Sequence, residues 1–318
     1  MAGGTNENCG SISMRIFLYE HITATSGEAD PLYREGEAMR DALHADLSRL
    51  PDTEVVIGEF NQSVRHGDAC VIIAPETDGV LESLARRVLE LGGVLVGPHP
   101  DAIRLTADKL ALGQRWQHVG VPTPATSLVV AGYNTFPAVL KPRDGAGSES
   151  TYLVRDAAEY ADRLGRCPRG MIVQRWLPGE PASVAFLVGP HQTIPLCPTR
   201  QRLSNDGLFQ YEGGELPLSQ NRAGRAIRLG RAAIDAVPDL LGYVGVDLLL
   251  GDAEDGSRDF AIEINPRLTT SYVGLRAATA GNIAGAMLGI CGGFPVEELI
   301  WLPGMTSWGS DFRPIRSV

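Results

Sequence analysis

The stretch FAIEINPRLTTSY (260–272) puts Glu263, Asn265 and Arg267 at every second position among apolar residues. A strand sends alternate side chains to one face. An acid, an amide and a guanidinium therefore point the same way from a strand whose neighbours Ala261, Ile262 and Ile264 suit a core. Burying a neutral polar group without a partner costs on the order of 2–7 kcal/mol, and a charge more, so these groups must hold something. A second acid, Asp247, stands in VGVDLLLG. The polar, glycine-bearing GDAEDGSR between the two runs predicts an antiparallel hairpin. Pairing Leu250 with Phe260 then sets Asp247 directly opposite Glu263. Like charges opposed on a sheet repel and call for a shared proton or a cation. Oxygen ligands with open positions suit Mg²⁺ held against phosphates. A solvated hairpin face is the structural alternative, and Asn265 and Arg267 on the same side weigh against it.

A second constellation lies in AVLKPRDGAGSES (138–150), where a strand delivers Lys141 into a loop with Gly145, Gly147, Ser148 and Ser150. Backbone N–H groups freed by glycine can approach phosphate oxygens closely, although a glycine-rich turn can equally be only a turn. The spacing is not G-x-x-x-x-G-K-[ST] and no helix follows, which excludes a P-loop. MIVQRWLPGEPASVAFLV (171–188) reads as strand, turn, strand. Its Gln174, Arg175, Trp176 and Leu177 can set backbone donors and acceptors beside a planar base, with Trp176 and Leu177 as an apolar wall. Lys109, one turn into a helical segment, reads by itself as a solvated helix lysine.

The elements that must position these groups fall into units. Residues 1–13, MAGGTNENCGSIS, are polar and precede a strand at MRIFLYE, and are expected to be a disordered leader. Residues 14–100 alternate strands (MRIFLY, TEVVIGEF, DACVIIAP, VLVGP) with helices, which predicts an open parallel α/β sheet. Its long first loop, EHITATSGEADP, would line the crevice at the carboxyl ends of the strands. Residues 101–188 open with the helical HPDAIRLTADKLALGQRWQHVG, stopped by VPTP, and continue as a small sheet with little helix. Residues 189–318 hold a loop-rich segment, a helix near 221–236, the Asp247 and Glu263 strands and a helical stretch rich in small residues, with little pattern after Gly292.

In this order the pieces resemble the ATP-grasp superfamily, from Met14 to about Cys291, with EINPR the most specific of them. The resemblance implies an α/β (α+β) chain in which an N-terminal Rossmann-like pre-ATP-grasp domain (14–100) precedes the small lid-bearing subdomain with its leading helix (101–188) and the C-terminal subdomain with the metal site (189–318). It implies ATP and Mg²⁺ or Mn²⁺ as cofactors. Lys109 and Lys141 look like the lysines that contact ATP phosphates, and Gly145, Gly147 and Ser148 like the lid over them. Gln174 to Leu177 take the place of the hinge that meets adenine. Asp247, Glu263 and Asn265 resemble the metal ligands, and Arg267 the arginine that steadies the transferred phosphoryl group. Within the superfamily, MRIFLYEHITATSG, LKPRDGAGSES and EINPRLTTSYVGLR are similar to the tyramine–glutamate ligase family of methanofuran biosynthesis. That family implies ATP-dependent joining of a glutamate side-chain carboxylate to tyramine, or in methylofuran-type pathways to tyrosine, through an acyl phosphate.

The chain also departs from the pattern. Gln174 stands where many ATP-grasp hinges begin with Glu. Pro181 aligns with the usual ribose-binding acid, so Glu180 is the candidate replacement. The first loop, HITATSG, lacks the run of glycines expected of close relatives. Arg200 or Arg202 could hold a substrate carboxylate, Tyr211 and Tyr272 could line an aromatic pocket, and His21 could approach a substrate; each has an equally plausible structural role. A ligase for another amino acid or peptide, a kinase of the same fold and a non-catalytic nucleotide-binding protein are the competing readings.

Composition narrows the partners. Of 318 residues 44% are hydrophobic and 21% charged, and the net charge is −10. No basic patch suits nucleic acid or anionic lipid, and no apolar run reaches the roughly 18 residues of a membrane span. Five scattered cysteines without a CxxC fit reduced thiols in the cytoplasm. The expected partners are a small-molecule carboxylate and an amine, with a homodimer expected by analogy.

Overall fold

The computed structural model describes residues 14–145, 150–166, 168 and 170–317. The leader expected at 1–13, and the lid residues Gly147 and Ser148, lie outside the described residues. The described strands form three sheets.

The first is parallel. β1 (Met14–Glu20) leads into α1 (His21–Thr25), which occupies the long first loop, and then α2 (Tyr33–Leu47), β2 (Thr53–Val56), α3 (Phe60–Ser63), β3 (Ala69–Ile73), α4 (Val80–Glu90) and β4 (Val94–Leu95). The order is β2-β1-β3-β4. Met39, Leu43 and Leu47 make one stripe of α2 and pack with Ile16 and Leu18 of β1 in a shared core.

The single helix expected from residue 99 onward is two. α5 (Pro100–Ala107) and α6 (Lys109–Val119) are broken at Asp108, whose extended backbone and side chain cap α6 by accepting from the Leu110 and Ala111 N–H groups. A continuous helical spacing hides such a cap, because an aspartate can leave the helix to satisfy the first free N–H groups of the next one. Lys109 therefore opens α6 rather than standing a turn inside it. The antiparallel second sheet comprises β5 (Thr126–Leu128), β6 (Ala138–Pro142), β7 (Tyr152–Val154) and, after α7 (Ala157–Leu164), β8 (Met171–Arg175), in the order β5-β8-β6-β7.

The third sheet begins one strand earlier than the sequence suggests. β9 (Glu180–Val188) was expected in the small unit, which placed a boundary at 188, but it pairs with β13 (Gly242–Leu250) and β11 (Thr199–Leu203) at the centre of the large sheet. Its residues are buried on both faces: Ala182, Val184 and Phe186 pack with α8 (Gln220–Asp235), while Ala185 and Leu187 join the core on the other side. By pairing, the small sheet ends at β8. β10 (Thr193–Pro195) pairs with β9, and the remaining order runs from β14 (Phe260–Asn265) through β13, β9, β11 and β12 (Tyr211–Leu216) to β15 (Met305–Trp308) and β16 (Ile315–Ser317). α9 (Ser271–Ala277) and α10 (Ile283–Cys291) pack on it.

The patternless tail thus supplies two strands and a core residue. Trp308 is buried, and its indole N–H donates to the Tyr211 hydroxyl at 2.9 Å. A Cβ on Gly274 of α9 would lie 2.1 Å from Trp308 Cζ3, so only glycine admits this contact. Gly274→Ala is expected to lower unfolding free energy by about 1–3 kcal/mol through overpacking, measured by urea denaturation. Among the described residues no helix is long and apolar enough to cross a membrane.

Candidate active site

Asp247 and Glu263 face each other across β13 and β14, with Gly245 opposite Asn265. The expected pairing of Leu250 with Phe260 is off by one: Phe260 pairs with Leu249, and the register shifts between Asp247 and Leu248, leaving Ile262 as an extra residue. Such a bulge re-aims side chains. Here adjacent Ile262 and Glu263 both line a cavity of about 780 Å³, while Ala261 and Ile264 stay in the core beside α8. Val246, Leu248 and Leu250 also face that core, which sends Asp247 and Leu249 to the cavity side.

Asp247 accepts hydrogen bonds from Asn265 Nδ2 (3.1 Å) and Gln201 Nε2 (2.9 Å). Burial and the facing Glu263 nevertheless push its carboxyl up to about 7, against the pull of those bonds. Burial would push Glu263 up as well, but Lys109 and Lys141 outweigh it and hold that carboxyl below its usual range. Lys109 Nζ lies 3.6 Å from Glu263 Oε2 and donates to the Gly145 carbonyl at 2.8 Å. Lys141 is 7% exposed. Burial pushes its ammonium down to about 8, with Lys109 adding to that shift and Glu263 and Asp247 opposing it.

Two carboxylates that repel, with an amide beside them, are a donor set that could hold a cation. Among the described residues no three His, Cys, Asp or Glu side chains cluster as a complete metal cage. A Mg²⁺ ion uses one or two carboxylates and completes its shell with phosphate oxygens and water, so this donor set fits it. The Asp247 shift also has a stability consequence. A carboxyl raised from its ordinary value to about 7 is protonated in the folded state while ionised in the unfolded one between about pH 4 and 7, so its contribution to stability is lost as pH rises through that window. Asp247→Asn removes that loss. The variant is expected to gain stability relative to the parent between pH 5 and pH 8 without metal, and less so with Mg²⁺ and ADP, as read by urea unfolding at both pH values.

Arg267 lies just beyond β14. Its Nε is 2.9 Å from Glu76 Oε1, and its Nη2 donates to Glu76 Oε2 at 3.2 Å. Glu76 follows β3, so the N-terminal sheet orients the arginine that faces the cavity. The chain just after Lys141 is tied to two neighbouring segments before Gly145. Arg143 pairs with Asp108 (2.7 and 2.5 Å), and the Asp78 N–H donates to Asp144 (3.1 Å). Gly145 lines the cavity at φ 127°.

Gln174, Arg175, Trp176 and Leu177 all line the cavity. Gln174 is buried and donates to Thr126 Oγ1 at 2.9 Å, so its side chain braces β5 against β8. Glu180 does not join them. The lining passes from Gly179 to Pro181 and Ser183, and strand alternation turns Glu180 to the α8 face, where it meets Arg222 (2.7 Å) and Arg200 (3.7 Å). Arg200 also pairs with Glu215 (3.1 Å), and Arg202 donates to the Trp308 carbonyl (2.6 Å). Tyr211 lines the cavity, whereas Tyr272 is buried and donates to Asp46 (2.8 Å). His21 borders a separate cleft beside Phe60 and Arg87. The sequence reading missed Glu76 and Gln201, which hold Arg267 and Asp247, and Glu35, which also lines the cavity. The pairing of Gln201 with Asp247 becomes legible only once β9 is placed between their strands.

A family model described as the ATP-grasp domain matches residues 106–271, and one described as the pre ATP-grasp 3 domain matches residues 34–103. Over 289 residues the chain is 25% identical to the tyramine–L-glutamate ligase of Methanocaldococcus fervens, covering 82% of this chain and 89% of that protein. It is 24% identical over 280 residues to the D-alanine–D-alanine ligase of Francisella philomiragia, with 82% and 89% covered. Among solved structures, an ATP-grasp superfamily protein from Archaeoglobus fulgidus superposes with a TM-score of 0.72 at 25% identity, covering 93% of this chain and 92% of that one. A carboxyaminoimidazole ribonucleotide synthase from Aspergillus clavatus complexed with ATP shares the fold at a TM-score of 0.71 and 16% identity, covering 93% and 81%. With one domain model spanning more than half of its length, and those acids and lysines gathered on one cavity, the chain belongs to the ATP-grasp family.

Proposed function

We propose that this protein is an ATP-dependent, ADP-forming carbon–nitrogen ligase that joins the side-chain carboxylate of glutamate to the amine of tyramine or tyrosine, in the making of a furan-type one-carbon cofactor. The observation that carries the chemistry is the convergence of Asp247, Glu263, Lys109, Lys141 and Arg267 on one cavity. The substrate pair rests on the similarity to tyramine–L-glutamate ligases along four fifths of the chain. The adenine lies against Gln174–Leu177, and the phosphates lie between Lys109, Lys141 and the loop that begins at Gly145.

The glutamate carboxylate attacks the γ-phosphate, giving an acyl phosphate and ADP, and the amine then displaces phosphate. Two anions meet in the first step, so catalysis is mainly positioning and charge neutralisation. Asp247, Glu263 and Asn265 would hold Mg²⁺, which neutralises phosphate charge when bound. Lys109 and Lys141 neutralise the remaining phosphate oxygens. Arg267, fixed by Glu76, faces the oxygens of the transferred group. As the family resemblance implies, Gly145, Gly147 and Ser148 would cover the phosphates and keep water from the acyl phosphate. No side-chain nucleophile is needed.

The test is ADP release from the purified protein with ATP, Mg²⁺, glutamate and tyramine or tyrosine, with the product weighed by mass spectrometry. A γ-glutamyl amide is expected. A stable phosphorylated product would establish a kinase instead, and turnover only with another acid or amine would move the protein to a different ligase specificity.

A further inference from the structure

Glu35 stands in the first turn of α2 and lines the same cavity as the metal-site acids. It is half-buried, and among the described residues no group hydrogen-bonds or ion-pairs with it. Burial pushes its carboxyl up, and the nearby Arg267 charge pulls it back. That arginine is already committed to Glu76 at 2.9 Å. Asp247 and Glu263 are likewise engaged, by Asn265 and Gln201 and by Lys109. The backbone beside Glu35 is closely packed: at Gly36 it runs so near the end of β1 that a Cβ there would lie 2.6 Å from the Glu20 carboxylate. The aromatic side of the cavity adjoins it. Tyr211 is near enough for the Glu35 charge to help burial push its phenol up to about 12. Phe209, also on the wall, sits at φ 55°, a conformation a non-glycine residue adopts at a cost of about 1–3 kcal/mol.

An amine such as tyramine arrives as an ammonium ion, its pKa being near the lysine value of about 10. The cations at the phosphate end repel it, and the metal-site acids are occupied. It needs a carboxylate set aside for it, and it must lose a proton before it can attack. We propose that Glu35 binds the ammonium of the acceptor amine and takes its proton, while Phe209 and Tyr211 wall the ring of an aryl-alkyl amine. This rests on the ligase reading. In the step, one N–H proton passes to the Glu35 carboxylate. The freed nitrogen lone pair forms the C–N bond, and the acyl C–O bond breaks with its electron pair leaving on phosphate. The second N–H proton goes to the departing phosphate, and Glu35 returns its own to water.

The test uses the intact protein and Glu35→Gln, which keeps shape and loses charge. Two acceptors are compared in the presence of ATP, Mg²⁺ and glutamate: tyramine, and hydroxylamine, which is largely uncharged at neutral pH and traps an acyl phosphate as the hydroxamate. The variant is expected to lose about 100-fold in kcat/KM for tyramine, to keep hydroxamate formation within about twofold, and to recover tyramine turnover as pH rises and free amine accumulates. Glu35→Asp should recover part of the loss. Equal loss with both acceptors, or loss with neither, overturns the assignment. Calorimetric binding of tyramine with ADP and Mg²⁺ present separates this from the ligase reading. Should the parent make no hydroxamate, the ligase reading fails while the binding arm still decides. Affinity at least about tenfold weaker in Glu35→Gln, or 1.4 kcal/mol, supports the subsite, and equal affinity overturns it.

Discussion

Glu263→Ala is expected to lower ADP release by about three orders of magnitude, equivalent to roughly 4 kcal/mol of transition-state stabilisation, while leaving the fold intact. Glu263 is where the charges of the cavity meet. It faces Asp247 across the hairpin, lies 3.6 Å from Lys109 Nζ, and is held ionised by Lys109 and Lys141 against burial. Its removal takes away a proposed metal ligand and leaves Lys109 without its acid, so on the proposed mechanism phosphate neutralisation fails twice over. The same change relieves a like-charge contact with Asp247, and the core side of β14, Ala261 and Ile264, is untouched. A carboxyl held below its usual range favours the fold at neutral pH, and the relieved Asp247 contact returns only part of that, so the melting temperature should fall modestly while turnover collapses. ADP release at saturating Mg²⁺, beside a thermal melt, reads both. Unchanged turnover would remove Glu263 from the metal role.

The facing acids were legible because a two-residue period and a short polar turn are local signals. The expected register was nonetheless off by one at Leu250 and Phe260. Asp247 still meets Glu263 because a bulge at Ile262 absorbs the slip, and no residue type there announces it. The break at Asp108 escaped notice because the helical spacing runs on through a capping residue. β9 was misplaced because a short apolar run says that a strand is buried, not which sheet buries it. Glu180 was proposed for ribose on alignment alone, although strand alternation from Pro181 and Ser183 already turns it away. Glu76, Gln201 and Glu35 had no local mark at all. Glu76 and Gln201 act through contacts with distant segments, Arg267 and Asp247, and a helix acid such as Glu35 looks like any solvated one until the fold closes over it.

Lys141→Met separates the stability of this site from its work most sharply. Methionine is an unbranched, adaptable side chain that fills the space of the lysine stem, and it lacks the ammonium of a residue that is only 7% exposed. The Lys141 ammonium is pushed down to about 8 by burial, below the ordinary 10.5 or so of the unfolded chain. The charged form is thus disfavoured on folding. Its penalty is fully present below about pH 8 and fades as pH rises from there toward the unfolded value, where both states are neutral. The methionine variant is therefore expected to be at least as stable as the parent at pH 7, with its advantage shrinking between about pH 8 and 10. Glu263 and Asp247 lose one nearby cation in the exchange, which favours a shared proton between them and returns part of the gain. Turnover should move the other way, down by about 100- to 1,000-fold, if Lys141 neutralises phosphate oxygens as proposed, because such a buried cation is worth far more where water is excluded. Nucleotide affinity and ADP release at pH 7, with urea unfolding from pH 7 to 10, measure the two halves. A variant that lost stability and activity in proportion would mark Lys141 as a packing residue, and one that kept turnover would take it off the phosphates.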